Sequence, residues 1–251
     1  MRRRELLRLL RATGTAGVAS QLFSTNSAAQ TPPTYTIEGS GPTILAFDRS
    51  VGQYEGLTRA YRVVALDYPP AALRDSQSPT VIESFTADRV TGDILAVADR
   101  VGADRFAFYG FSWGGVAGLQ LAVRTNRLSA LICGGSPPLG AQYRDMVTLG
   151  ERGVGQPIFR TYYRSIADWA ERDAISKIGC PRLAFAGTKD VIVAEGITFP
   201  LGPRLAEHRE ELERMGWTVR LVDGFAHELG LRPDVVVPLI REFLDPILLN
   251  A

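Results

Sequence analysis

Of the side chains that most often ligate transition metals the 251 residues hold few: two cysteines, Cys133 and Cys180, and two histidines, His208 and His227. No cluster of them has metal-ligand spacing, so a structural zinc is excluded. A disulfide is excluded as well. Cys133 ends the apolar run LSALICGG and Cys180 precedes the run RLAFAG; as parallel strands these place the sulfurs about 15 Å or more apart by strand rise, beyond disulfide reach. Two buried free thiols are expected. A surplus of charge is also missing, since 28 Lys and Arg against 27 Asp and Glu leave a formal net charge of +1. Such a chain has no field to draw it onto nucleic acid or an anionic membrane. Lysine occurs only at Lys177 and Lys189, a bias towards arginine that carries no functional meaning by itself. Beyond the amino-terminal segment no apolar run approaches the roughly 18 to 20 residues that cross a bilayer.

What the sequence does contain begins with a separable leader. The stretch MRRRELLRLLRATGTAGVASQLFSTNSAAQTPP runs from arginines through leucines to small residues at Ser27, Ala28 and Ala29. It resembles a twin-arginine export signal, with Arg2, Arg3 and Arg4 ahead of Leu6 and Leu7, which implies export. Arg8 and Arg11 interrupt the apolar part, and an arginine-rich amphipathic helix over residues 4 to 12, with cytoplasmic residence, is the alternative reading. Residues 1–33 are therefore set apart from a single domain over 34–251, which at 45% hydrophobic residues holds enough apolar material for one sizeable core.

Within that domain apolar runs alternate with helical patterns. TYTIEG, TILAF and YRVVALDY read as strands, followed by a helix over about 81–102 with Val90, Ile94, Val97, Ala98 and Val101 on one face. RFAFYGF, a helix over 112–124, LSALICGG, RLAFAG, a charged helix near 203–215, TVRLVDGF and a last helix near 233–244 complete the order. The strands are continuous apolar runs, the pattern of burial on both faces of a parallel sheet. The expected fold class is α/β: a doubly wound, mostly parallel sheet with helices on both faces. Residues 137–179 form a longer insertion rich in aromatics, including Tyr143, Phe159, Tyr162, Tyr163 and Trp169, and read as a short lid; otherwise they only glue small helices to the body.

Gly110, Ser112 and Gly114 spell G-x-S-x-G where the strand RFAFY hands over to the helix WGGVAGLQLA. A sharp strand-to-helix turn demands residues without bulk beside the serine and lifts its hydroxyl above the carboxyl edge of the sheet. Open α/β sheets bind ligands at that edge. Ser112 heads the helix, so the Trp113 backbone N–H and the helix dipole both favour negative charge there. The competing reading is a simple serine N-cap. A nucleophilic serine needs a base. His208 lies in a highly charged helix and reads as a surface residue, whereas His227 follows the strand TVRLVD and should emerge at the same edge as Ser112. The imidazole in turn needs a carboxylate, and Asp190, in the loop after RLAFAG, supplies one. Asp223 and Glu228 are alternatives, but they are too close to His227 in sequence to grip its far nitrogen.

These pieces, GFSWGG, CPRLAFAGTKD and GFAHELGLRPDVVVPLIREFL, are similar to those of α/β-hydrolase fold serine hydrolases, in that family's order Ser, Asp, His. The resemblance spans the chain from about residue 40 onward. It implies Ser112, Asp190 and His227 as catalytic residues, with backbone N–H groups of Trp113 and Arg49 as the oxyanion hole. Two departures stand out. The family's His-Gly after its third strand is replaced by ILAFDRSVGQ, which puts Arg49 or Ser50 at the place of the second donor, and its Gly-His-Gly turn is replaced by DYPPAALRDS. The implied activity is cofactor-independent, metal-free cleavage of a small-molecule ester or related acyl compound through an acyl-enzyme. Peptide, thioester and carbon-carbon cleavage are alternatives within the fold, and a binding protein that keeps the fold without catalysis is the alternative outside it.

Overall fold

The computed structural model describes residues 33–47, 54–140 and 142–249. The expected leader, but for Pro33, and Arg49 lie outside them. Nine strands are described: β1 (Thr34–Glu38), β2 (Thr43–Phe47), β3 (Arg62–Asp67), β4 (Phe106–Phe111), β5 (Leu128–Gly134), β6 (Arg182–Gly187), β7 (Ile192–Ala194), β8 (Ile197–Phe199) and β9 (Trp217–Val222). Seven of them form one sheet in the order β1-β3-β2-β4-β5-β6-β9. All neighbours are parallel except β1, which runs antiparallel to β3 along the edge.

Burial explains the text of each strand. The interior strands β2 to β6 are buried almost throughout, while the edge strand β1 is mostly exposed and β9 mixes exposed with buried positions. Successive residues of one strand feed opposite faces. Leu45 and Phe47 join Val64, Leu66, Phe108 and Leu131 in one core layer. Ile44 and Ala46 join Val63, Tyr109, Ile132 and Phe185 in the other. The first layer is covered by α4 (Ala87–Arg100) and α5 (Trp113–Ala122), the second by α1 (Glu55–Thr58) and α11 (Pro233–Leu248). This is the doubly wound α/β arrangement expected from the sequence. From β2 the chain crosses to β3 on one side and later to β4 on the other. The crevice at the carboxyl ends of β2 and β4 is therefore a topological switch point, where such sheets bind ligands.

Three elements differ from expectation. The helix expected over 81–102 is two, α3 (Pro79–Glu83) and α4, because Phe85 turns into the core and Thr86 caps a new start, its hydroxyl accepting the Arg89 N–H at 3.3 Å. The expected helix over 203–215 divides at His208 into α9 (Leu201–Glu207) and α10 (Arg209–Arg214). The hairpin β7–β8 was not expected at all; it turns on Glu195 and Gly196, both at positive φ, the geometry of a two-residue hairpin loop. A short helix α2 (Ala71–Arg74) follows β3, and residues 137–179 carry α6 (Tyr143–Glu151), α7 (Pro157–Ser165) and α8 (Glu171–Ile175). Both thiols are free, as expected, but only Cys133 is buried; Cys180 is partly exposed, because it stands in the loop ahead of β6.

Candidate active site

Ser112 sits at the turn from β4 into α5 with φ 56° and ψ −125°. Such a backbone costs a non-glycine residue about 1 to 3 kcal/mol, and the neighbourhood holds it in place. Its N–H donates to the Gly134 carbonyl at the end of β5, 2.7 Å away, and its carbonyl accepts from the Gly115 N–H at 2.9 Å. The turn closes only without a side chain at 110, since a Cβ there would lie 2.1 Å from the Gly114 oxygen.

Asp190 follows β6 and His227 follows β9, two adjacent parallel strands. Their loops are stitched together beyond the strand ends: the Thr188 N–H donates to the Val222 carbonyl at 3.0 Å and the Lys189 N–H to the Phe225 carbonyl at 2.9 Å. The Thr188 hydroxyl donates to Asp223 at 3.1 Å and accepts the Gly224 N–H at 3.0 Å. His227 opens a 3-10 turn, His227–Leu231, with its ring tilted against Phe111 at 5.1 Å between centroids.

The three side chains expected from the sequence meet. The Ser112 hydroxyl oxygen is 2.9 Å from His227 Nε2, and His227 Nδ1 is 3.1 and 3.0 Å from the two oxygens of Asp190. Asp190 is fully buried and His227 is 5% exposed. A carboxylate only accepts hydrogen bonds, so Nδ1 carries the proton towards Asp190, leaving the Nε2 lone pair for the Ser112 O–H. The alternative acids are engaged elsewhere, Asp223 with Thr188 and Glu228 with the Ala226 N–H at 3.0 Å. His208 lies in a different place, with Nδ1 3.5 Å from Glu211 between α9 and α10. Trp113 starts α5, where the first N–H groups of a helix have no partner within it. Among the described residues no group of three His, Cys, Asp or Glu is arranged to hold a metal ion.

In front of Ser112 lies a cavity of about 330 Å³, at the small end of ligand-sized pockets. Apolar and aromatic side chains dominate its wall, which reaches from Phe47 and Tyr68 at the sheet edge through Phe111 and Trp113 to α6, α7 and the hairpin β7–β8. The Trp113 indole stacks on Phe47 at 5.4 Å and on Phe85 at 5.8 Å, and Phe159 of α7 meets it edge-on at 5.2 Å. Of the aromatics expected in a lid, Tyr143, Phe159 and Tyr163 line the cavity. Tyr162 is fully buried behind them, and Trp169 packs on Tyr143 at 6.1 Å between centroids. The sequence did not single out Phe47, Tyr68 or the α7 residues Gln156 and Arg160, because nothing short-range marks a residue as part of a wall assembled from separate segments.

A scan against protein-family models and a search of curated proteins found no match. Solved structures do match. A carboxylesterase study of the thaumarchaeon Nitrososphaera gargenis provides one, with a TM-score of 0.64 at 15% identity, covering 90% of this chain and 98% of that one. An esterase of Thermogutta terrifontis matches with a TM-score of 0.61 at 17% identity, covering 86% and 93%. An alpha/beta hydrolase enzyme from the sediment metagenome of the Mar Chica lagoon, Morocco, matches with 0.63 at 16%, covering 86% and 96%. The chain has the fold of these proteins.

Proposed function

We propose that this α/β-hydrolase-fold chain is a serine hydrolase that cleaves an ester or related acyl bond through an acyl-enzyme. The observation that carries the reading is the hydrogen-bonded line from a strained Ser112 through His227 to a buried Asp190 at the floor of an apolar cavity. Ser112 Oγ attacks the carbonyl carbon as its proton passes to His227 Nε2. The oxyanion that forms lies at the start of α5, where the Trp113 N–H donates to it; Arg49, outside the described residues, is the candidate for the second donor. Collapse of the tetrahedral adduct breaks the bond to the leaving alcohol, which takes the proton from Nε2. Water then gives a proton to Nε2 and adds to the acyl carbon, and release of the acid returns the proton to Ser112. Asp190 keeps its negative charge throughout, fixing the tautomer and stabilising the imidazolium.

The carboxylesterase and esterase structures of similar fold support the chemistry without naming a substrate. A fluorophosphonate probe tests the reading: the protein is expected to be labelled, and Ser112→Ala is not. A folded protein that stays unlabelled from pH 7 to pH 9 would overturn it.

A further inference from the structure

The roof of the cavity is not wholly apolar. Gln156, Phe159, Arg160 and Tyr163 all line it, and their spacing of three, four and seven residues puts them on one face of α7. Phe159 anchors that face on Trp113, the residue after Ser112. Arg160 stands next to it.

Two observations set Arg160 apart. It takes part in no hydrogen bond or ion pair among the described residues, and its Nε is shielded from solvent without a partner. The other charged residues on the wall, Asp67 and Arg74, each have a partner of their own. Its stem is also held tightly. A Cβ at Gly150 would lie 2.6 Å from Arg160 Cβ and 2.9 Å from its Cγ, so α6 and α7 approach this closely only because residue 150 has no side chain. Gln156 Oε1 and Gln142 Oε1 are shielded and unpartnered beside the same cavity, which leaves further polar contacts for a bound molecule.

An unpaired, partly desolvated guanidinium is unfavourable unless something negative completes it. Its planar fork matches a carboxylate with two parallel N–H···O bonds. On the wall of a mostly apolar cavity that ends at Ser112, it selects a substrate that is mostly hydrophobic and carries one negative group. We propose that Arg160 is a specificity-determining residue and that the substrates are acyl compounds bearing a carboxylate away from the scissile carbonyl. This rests on the hydrolase reading for the chemistry, though not for the binding.

The test compares matched esters. Mono-4-nitrophenyl glutarate and adipate carry the charge on the acyl side, 4-carboxyphenyl pentanoate carries it on the leaving group, and 4-nitrophenyl pentanoate is neutral. In the wild-type protein kcat/KM for at least one charged ester should exceed that for the neutral one. Arg160→Met should lower that ratio by about 30-fold or more, the scale of a lost charged hydrogen bond. Arg160→Lys, which keeps the charge and loses the fork, should retain part of the preference. A neutral ester cleaved as well as every charged one by the wild-type protein, or a ratio unchanged in Arg160→Met, overturns the proposal. Binding is read separately by calorimetry with monobenzyl glutarate on Ser112→Ala, with and without Arg160→Met. Carboxylate-dependent binding without fluorophosphonate labelling would sink the hydrolase reading and leave Arg160 standing. Labelling without any carboxylate preference would sink the role of Arg160 alone.

Discussion

The Phe85 ring stacks on the Trp113 indole, with 5.8 Å between centroids and 26° between planes. Phe85 lies in the short break between α3 and α4, and Trp113 is the first residue after the candidate nucleophile. Through this contact the break between α3 and α4 supports the turn that presents Ser112, and Phe85 also meets Tyr68, Phe159 and Tyr162. Phe85→Ala should therefore cost about 3 to 5 kcal/mol in stability and raise KM by loosening the wall of the cavity. Denaturant titration combined with steady-state kinetics checks both, and a change in stability with unaltered KM would mean that the wall is indifferent to Phe85.

Gly110→Ala should be among the most damaging single-methyl additions to the chain. The new carbon would meet the Gly114 backbone oxygen at 2.1 Å, and backbone has little freedom to give way. A loss of several kcal/mol, on the order of 3 or more, is expected, together with loss of fluorophosphonate labelling. Melting temperature and labelling can be read on the same sample.

Asp190→Asn keeps the size of the side chain and removes its charge. The imidazole is then free to turn its Nδ1 lone pair to the amide N–H and present a proton, not a lone pair, to Ser112. A fall in kcat on the order of 10⁴ is expected, with little change in KM. A fall of less than tenfold would move the carboxylate's role to Asp223 or Glu228, which the double variants with Asp190→Asn would then reveal.

Glu171 opens α8, where one of its oxygens accepts the Leu139 N–H at 3.1 Å and the Tyr143 hydroxyl at 3.0 Å. Burial raises its pKa from the ordinary carboxylate value to about 7, against the lowering effects of those two donors and of Arg172. The folded state thus favours the protonated form. Its contribution is fully present below the unfolded value of 4.5 and is lost as pH rises through about 7. The amount at stake is up to about 3 kcal/mol. Urea titrations between pH 4.5 and 7.5 should show wild-type stability falling relative to Glu171→Gln as pH increases; parallel curves would contradict the assignment.

The sequence made the sheet legible because strands buried on both faces need apolar side chains at every position, as in LSALICG and RLAFAG. The placing of Ser112, Asp190 and His227 at one rim was legible for a related reason: each lies within a few residues of the carboxyl end of a parallel strand. The hairpin β7–β8 escaped notice because three-residue strands show no periodicity, although Glu195 and Gly196 between the runs IVA and ITF were a turn signal. The break at Phe85 depends on an aromatic stack formed by residues distant in sequence, which no local pattern announces. Arg160 was hidden among many arginines. Which of them goes unpaired is decided by helix packing, and only Gly150 in the neighbouring helix marks the spot.

The carboxylate and the imidazole stand on β6 and β9, which are neighbours, whereas the hydroxyl stands on β4, with β5 between β4 and β6. Asp190 and His227 are thus fastened to one ladder, while Ser112 belongs to another part of the sheet. Any shear across β5 registers first as a lengthening of the 2.9 Å gap between Ser112 and His227. With Ser112 as the proposed nucleophile, its labelling reports on sheet distortion, and on warming it should fade before either half of the sheet comes apart.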